Sequence, residues 1–208
     1  MSGTPIFEIP TNGFNKKVAI PDPKPGRVPG NMAIWVAIFS EMSEFAMMFI
    51  IIFLAMVHNP ELFSAGSGKL NTLAGMLNTL TLLSSSYFVV KAVHCIRLDR
   101  PDLSARWMWR AVAASALYLL IKYWEFQWNS AQGYSAETDL FFTVYYYTTF
   151  NHFLHVGWGS GALLWGIYRL NTGAYSAGDH EGLETIASYW HMIDLAWIVI
   201  FPLLYVLR

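Results

Sequence analysis

Five segments of this 208-residue chain are each long and apolar enough to cross a lipid bilayer as a helix. A spanning α-helix needs about 20 predominantly apolar residues. Hydrophobic residues make up 55% of the chain and charged residues 13%, whereas a soluble domain has about 25% charged residues. The sequence therefore predicts an all-α, polytopic membrane helix bundle with five transmembrane helices, at residues 32–57, 73–95, 108–128, 140–168 and 186–207.

The positions of Lys and Arg predict how these segments are oriented. Four basic residues lie between residue 16 and the first segment, and five more surround the loop between the second and third segments. The stretch between the third and fourth segments contains no Lys or Arg. Because cytoplasmic loops carry an excess of Lys and Arg, we expect a cytoplasmic N-terminus and a C-terminus on the outer side.

Residues 1–31 differ in composition from the rest of the chain. They hold six of the nine prolines and lack an apolar run of signal-peptide length. We expect an irregular, Pro-rich cytoplasmic lead-in at 1–31 and a five-helix membrane domain at 32–208. Since no cleavable signal is evident, the first segment itself would direct insertion, which suits the cytoplasmic (inner) membrane of a bacterium.

Ionisable residues recur inside the apolar segments. At a helix centre in lipid a carboxylate costs roughly 2.5–3.5 kcal/mol, so such residues are usually buried against partners and are candidates for function. Three pairs have a spacing of three residues, which places both members on one helix face. The candidate intramembrane residues are Glu41 with Glu44, His152 with His155, His191 with Asp194, Glu125 near the outer end of the third segment, and Glu184 at the cytoplasmic mouth of the fifth.

These residues allow functional and structural interpretations. Glu41 and Glu44 could form a proton relay, or they could be neutral acids that hydrogen-bond a neighbouring helix. The intramembrane histidines could bind haem or a metal, but two histidines one turn apart do not supply opposite axial ligands to one haem. Cys95 is the only cysteine, which excludes a Cys-based iron–sulfur cluster and an internal disulfide. For the histidines, structural hydrogen bonding is favoured, with no metal bound by this chain.

Small and basic residues indicate packing and contact with lipid. Gly157, Gly159 and Gly161 in the fourth segment predict a close helix contact. At the cytoplasmic end of the second segment, basic side chains are expected to reach lipid headgroups; they are Lys91, His94 and Arg97. The net charge of −1 and the absence of a polybasic arm make nucleic acid a poor candidate partner.

An ordered set of motifs resembles subunit III of the haem–copper oxidases. The motifs run from the first segment to the last: Phe39-Ser40-Glu41, Asn78-Thr79, LLSS at 82–85, Glu125-Phe126, HFLHV at 152–156, Glu184, and YWHMIDLAW at 189–197. Five spans are typical of the subunit III of bacterial quinol oxidases and of the NorE-type branch associated with nitric oxide reductase. The Val28-Pro29-Gly30 lead-in, the spacing of Lys122 and Glu125, and Met192 favour the NorE-type branch.

The resemblance implies an accessory subunit that performs no catalysis alone and holds no haem or copper. It would dock beside a multi-helix catalytic subunit that holds haem together with copper or non-haem iron. Such subunits are associated with stabilising the catalytic subunit during turnover, with binding membrane lipids, and with supporting proton uptake from the cytoplasm. Glu44 departs from the pattern, because the family usually has an apolar residue there.

Two other functions remain open on the residues alone. The chain could be a b-type haem membrane anchor, with His152 or His155 and His191 as axial ligands. Alternatively, Glu41, Glu44, His191 and Asp194 could line an independent proton pathway.

Overall fold

The computed structural model describes residues 28–207, which fold as six α-helices with no β-strand in that range. The predicted lead-in at 1–31 therefore lies almost wholly outside the described residues. All five predicted segments are helical. The helices are α1 (Met32–His58), α2 (Pro60–Lys69), α3 (Thr72–Arg97), α4 (Pro101–Ala131), α5 (Leu140–Asn171) and α6 (Glu181–Phe201), and α6 continues into a π-helical turn (Pro202–Val206).

Local sequence signals set the helix starts. The side chains of Asn31, Asn71 and Asp139 each accept a hydrogen bond from a backbone N–H in the first turn of α1, α3 and α5, as N-cap residues do. Pro60 and Pro101 open α2 and α4, because proline lacks an N–H that the first helical turn would leave unbonded.

Proline also sets the end of α6. Pro202 cannot donate a backbone hydrogen bond, which interrupts the α-helical ladder. The chain then widens into the π-helical turn, in which the Leu207 N–H bonds to the Pro202 carbonyl at 2.9 Å. This turn directs Tyr205 into the bundle, where 1% of its surface is exposed.

Three helical stretches of the described chain meet both the length and the apolarity expected of a membrane span: Met32–His58, Thr72–Arg97 and Glu181–Val206. Helices α4 and α5 are long enough, with 31 and 32 residues, but are less apolar. Their interior faces carry many buried polar residues, among them Lys122, Glu125, Asn129, Thr148 and Thr149. The fold is therefore a helical membrane bundle.

Helices α3 to α6 pack around a shared core, and α1 lies on its edge against α6 and α5. The largest fully buried side chains include Trp190, Trp197, Tyr118 and Tyr145. Gly159 permits the close approach of α5 and α6, because a Cβ there would lie 2.8 Å from Cδ1 of Ile193.

The prediction for the three glycines of α5 is right for only one of them. A Cβ added to Gly157 or Gly161 would have no neighbouring atom within 4 Å. These two glycines lie two residues from Gly159, which is about 200° around a helix, and so they face away from α6.

Candidate functional site: polar clusters of the bundle

A line of polar side chains runs along the contact between α1 and α5. Nε2 of His155 lies 2.8 Å from Oε2 of Glu41, and Nδ1 of the same ring lies 2.8 Å from the Asn151 carbonyl oxygen. One turn further along α1, Nδ2 of Asn151 donates to Oε1 of Glu44 at 2.9 Å. We call Glu41, Glu44, Asn151 and His155 the α1–α5 seam.

In the seam, each acid of α1 contacts a residue of α5 rather than the other member of its own sequence pair. Glu41 pairs with His155 across the helix interface, and Glu44 pairs with an asparagine that the spacing of ionisable residues does not indicate. The side chains of Glu41 and His155 are 33% and 14% exposed, so the seam lies at the surface of this chain. Its groups can exchange protons or bind a polar partner.

His152 points into the bundle instead and is fully buried. Its Nε2 lies 3.1 Å from the Ile193 carbonyl oxygen, and its Nδ1 lies 2.9 Å from the Tyr118 hydroxyl. A carbonyl oxygen only accepts, so Nε2 carries the hydrogen and Nδ1 accepts from Tyr118. A neutral imidazole thus satisfies both partners and links α4, α5 and α6.

A second polar cluster surrounds Lys122. Its ammonium donates to Oε2 of Glu125 at 3.1 Å, to the Tyr145 hydroxyl at 3.2 Å and to the Tyr205 hydroxyl at 2.7 Å. Both tyrosines in turn donate to Oε1 of Glu125, at 3.0 and 2.6 Å. The side chains of Lys122 and Glu125 have no exposed surface. We call these four residues the lysine cluster.

The lysine cluster satisfies the three donors of the ammonium group with oxygen acceptors on α4, α5 and the π-helical turn. The spacing of Lys122 and Glu125 is visible in the sequence, but the two tyrosines are not, because they come from distant elements. Four aromatic rings, including Phe126 and Trp197 at 5.1 and 5.3 Å, surround the ammonium. The lysine cluster is therefore an internal ion pair held away from water.

His191 and Asp194 lie on the contact of α6 with α3. Nδ1 of His191 lies 2.7 Å from the Ser86 hydroxyl and 3.8 Å from Oδ2 of Asp194. Asp194 is 4% exposed, and neither of its carboxylate oxygens has a hydrogen-bond partner among residues 28–207. These groups do not hydrogen-bond to Glu41 or Glu44.

Glu184 joins α6 to the end of α3 and to the residues just before α1. It accepts from Nη2 of Arg97 at 2.7 Å and from the backbone N–H of Gly30 at 3.3 Å, and its Oε1 lies 3.2 Å from Nε2 of His180. Beside it, the Thr185 hydroxyl accepts from the Asn31 N–H. Gly30 and Asn31, just before α1, are thereby fixed to α6.

The basic residues at the end of α3 have different contacts. Arg97 pairs with Glu184 while 44% of its side chain stays exposed. The ammonium of Lys91 lies 5.4 Å from the centre of the Tyr87 ring, and His94 is half-buried. Binding of lipid headgroups by these three residues stays a prediction.

Within the described range, no group of three or more His, Cys, Asp or Glu side chains is placed to hold a metal ion. The ring nitrogens of His152 and His155 are all in contact with protein oxygens. The polar clusters can therefore bind protons and join helices through hydrogen bonds.

Comparison with known proteins relates this bundle to oxidase subunits. The family of cytochrome c oxidase subunit III matches residues 30–207. The chain is 34% identical to cytochrome c oxidase subunit 3 of Thermostichus vulcanus over 132 residues, which are 63% of this chain and 64% of that protein. Identity to the Synechocystis subunit is 32% over 143 residues, 68% of this chain and 60% of that protein.

A third relative matches over a greater length at lower identity. It is a probable quinol oxidase subunit 3 of Staphylococcus haemolyticus, 23% identical over 85% of this chain and 88% of the relative. In contrast, the chain aligns with less than two thirds of the length of the Thermostichus vulcanus and Synechocystis proteins. Because the family match takes in every helix from α1 to the π-helical turn, this chain belongs to the cytochrome c oxidase subunit III family.

Proposed function

We propose that this chain is a non-catalytic accessory subunit of a respiratory haem–copper-type terminal reductase, in which it stabilises the catalytic subunit. The observation that carries the proposal is the family match over residues 30–207. The relatives are named as subunits of cytochrome c and quinol oxidases. In this function the chain binds a multi-helix partner that holds haem together with copper or non-haem iron, while its own polar groups hold the bundle together.

In this proposal α1, α3, α4, α5 and α6 all cross the cytoplasmic membrane of a bacterium, with the N-terminus in the cytoplasm. Helices of 31 and 32 residues are about 46–48 Å long, more than the roughly 30 Å of hydrocarbon. Burial supports the inclusion of α4 and α5, because their polar residues face the protein interior rather than lipid. Residues 1–31 then form the cytoplasmic lead-in and 32–208 the membrane domain.

The contacts of the histidines favour this function over a b-type haem anchor. An axial ligand must direct a free ring nitrogen at the iron. Both nitrogens of His152 already serve Tyr118 and Ile193, and both nitrogens of His155 lie against Glu41 and Asn151. An independent proton pathway is disfavoured because Glu41 and Glu44 lie on the contact of α1 with α5, whereas His191 and Asp194 lie on the contact of α6 with α3.

Support of proton uptake is part of the proposal and is assigned to the Glu41–His155 pair. A carboxyl group and an imidazole 2.8 Å apart can pass a proton between them. Their partial exposure at the seam allows the pair to receive protons from outside this chain.

Nitric oxide reductase is the second candidate partner. Three sequence features that resemble the NorE-type branch support it: the spacing of Lys122 and Glu125, Met192, and the Val28-Pro29-Gly30 lead-in. Reduction of oxygen or of nitric oxide by the complex purified with this chain distinguishes the two partners.

Purified complex with and without this chain tests the stabilising role. We expect similar initial rates of acceptor reduction in both preparations, followed by a faster loss of activity per turnover in the complex that lacks the chain. Adding the chain back should restore the lifetime. Equal lifetimes would remove the stabilising role.

A further inference from the structure

A groove of about 700 Å³ opens beside the α1–α5 seam. It runs along α5 from Thr143 to Leu154, and the end of α4 and the loop that follows it form the opposite wall. Aromatic side chains line most of it: Phe126, Tyr134, Tyr146, Tyr147 and Phe150. Glu44 and Asn151 lie at one end, and we call the whole feature the seam groove.

The carboxylate of Glu44 is incompletely paired. Oε1 accepts the hydrogen bond from Asn151, and Oε2 has no hydrogen-bond or ion-pair partner among residues 28–207. The residue is exposed on the surface of this chain. A charged or strongly polar group facing lipid is unfavourable, whereas exposed apolar residues of α1 such as Met47 and Ile50 can face lipid at no cost.

The depth of Glu44 limits what can complete its pairing. It lies 12 residues after Met32 in a helix of 27 residues, which places it about 18 Å along an axis of about 40 Å. Phospholipids keep their polar groups at the surfaces of a hydrocarbon layer about 30 Å thick. A membrane-spanning helix can carry a donor side chain at any depth.

We propose that the seam groove is the docking site of a transmembrane helix from a partner subunit, and that this helix carries a cationic or amide side chain that donates to Glu44. The inference rests on the proposed function, since it requires a multi-subunit complex. The aromatic walls offer apolar contacts to the side chains of the incoming helix, as grooves for amphipathic helices do. Glu44 fixes the register, because one donor position on the partner helix must match its depth.

A photoreactive residue in the groove tests the proposal. Phe150 lines the groove and is 52% exposed, so p-benzoylphenylalanine at that position can reach an occupant. The tagged chain is expressed in its native host, irradiated in intact membranes, and its adducts are identified by mass spectrometry. We expect an adduct with a transmembrane peptide of a co-purifying subunit, with a Lys, Arg, His, Asn or Gln within one helical turn of the crosslink.

Variants at Glu44 show whether the carboxylate holds that helix. Glu44→Leu should lower the yield of the adduct at least tenfold, and Glu44→Gln, which keeps one acceptor oxygen, should lower it less. Glu137→Leu removes an exposed acid in the loop before α5 and should leave the yield unchanged.

Three results would overturn the proposal: adducts with lipid alone, adducts with a second copy of this chain, or a yield that is insensitive to Glu44→Leu. The same preparation separates this failure from that of the proposed function. If a haem–copper catalytic subunit co-purifies while Phe150 yields only lipid adducts, the docking site is wrong and the accessory function stands. If no such catalytic subunit co-purifies, the accessory function itself fails.

Discussion

At the scale of single residues, the lysine cluster buries two opposite charges inside the bundle. Lys122 and Glu125 have no exposed side-chain surface, and each charge is compensated by the other and by two tyrosine hydroxyls. A buried ion pair can contribute little net stability, yet removal of one member is strongly destabilising because a bare charge remains. The pair therefore constrains how α4, α5 and the π-helical turn meet.

Lys122→Met should destabilise the folded subunit by about 3–5 kcal/mol, because Glu125 would keep a buried charge without its cation. Thermal unfolding of the purified complex measures the effect. The double variant Lys122→Met with Glu125→Gln should recover much of the loss, since no uncompensated charge remains. Arg106→Gln, at an exposed position of α4, serves as the control and should shift the melting temperature little. A stable single Lys122 variant would contradict this role of the cluster.

Glu41→Gln tests the proton role of the seam. Glutamine can still hydrogen-bond to Nε2 of His155 but cannot bind and release a proton. We expect intact assembly and slower turnover at high pH, where protons are scarce. Proton-coupled turnover measured across a pH series, with Glu137→Gln as the control, checks this. Unchanged rates at every pH would make Glu41 a packing residue.

The sequence identifies the ionisable residues within the apolar segments, and their spacing indicates which of them share a helix face. It does not predict what each side chain contacts. Residues three apart differ by about 60° around a helix. That difference is enough to direct His152 to Tyr118 in the core while His155 reaches Glu41 on the seam. The partners across helices depend on how the helices are rotated, and no local pattern encodes that rotation.

At the scale of elements, helix α2 shows how a short segment is held by side-chain shape. Phe63 and Gly66, one turn apart, face α5, where the Phe63 and Phe141 rings meet edge to face with centroids 5.4 Å apart. A Cβ on Gly66 would overlap the ring of Phe141, whereas Gly68 in the same helix has open space around it. Phe141 is itself 1% exposed and packed on all sides, so its ring cannot easily move aside.

Gly66→Ala should therefore destabilise the subunit by about 1–3 kcal/mol through overpacking. Gly68→Ala, two residues away, should be neutral or stabilise by up to about 1 kcal/mol, because alanine favours the helix more than glycine. Melting temperatures of the two variants give a matched comparison. Equal effects would show that α2 is not packed against α5 in this way.

The long helices were predictable because each contains a long segment rich in apolar residues, with Pro, Asn or Asp near its ends. Helix α2 was not predicted: its 10 residues include two glycines and two serines, which in isolation favour a loop. It is stabilised by tertiary contact, through Phe63 and Phe141, rather than by its own propensity.

At the scale of the whole molecule, polar groups that are satisfied inside the bundle differ from those that reach its surface. The lysine cluster and His152 are satisfied internally, so they require no partner. Among residues 28–207, the α1–α5 seam brings two carboxylates towards the surface at mid-helix, and of the two Glu44 oxygens only Oε1 has a hydrogen-bond partner there. In our proposal the seam is where another protein binds, and the sequence could not indicate this because it requires the exposure and pairing of each carboxylate.

The measurement that tests the accessory function most directly is mass-spectrometric identification of the proteins that co-purify with this chain from native membranes in mild detergent. We predict a multi-helix catalytic subunit of the haem–copper type, in an amount close to one per copy of this chain and with haem in its absorption spectrum. Recovery of this chain without any haem-containing catalytic subunit, from membranes where such a subunit is present, would contradict it.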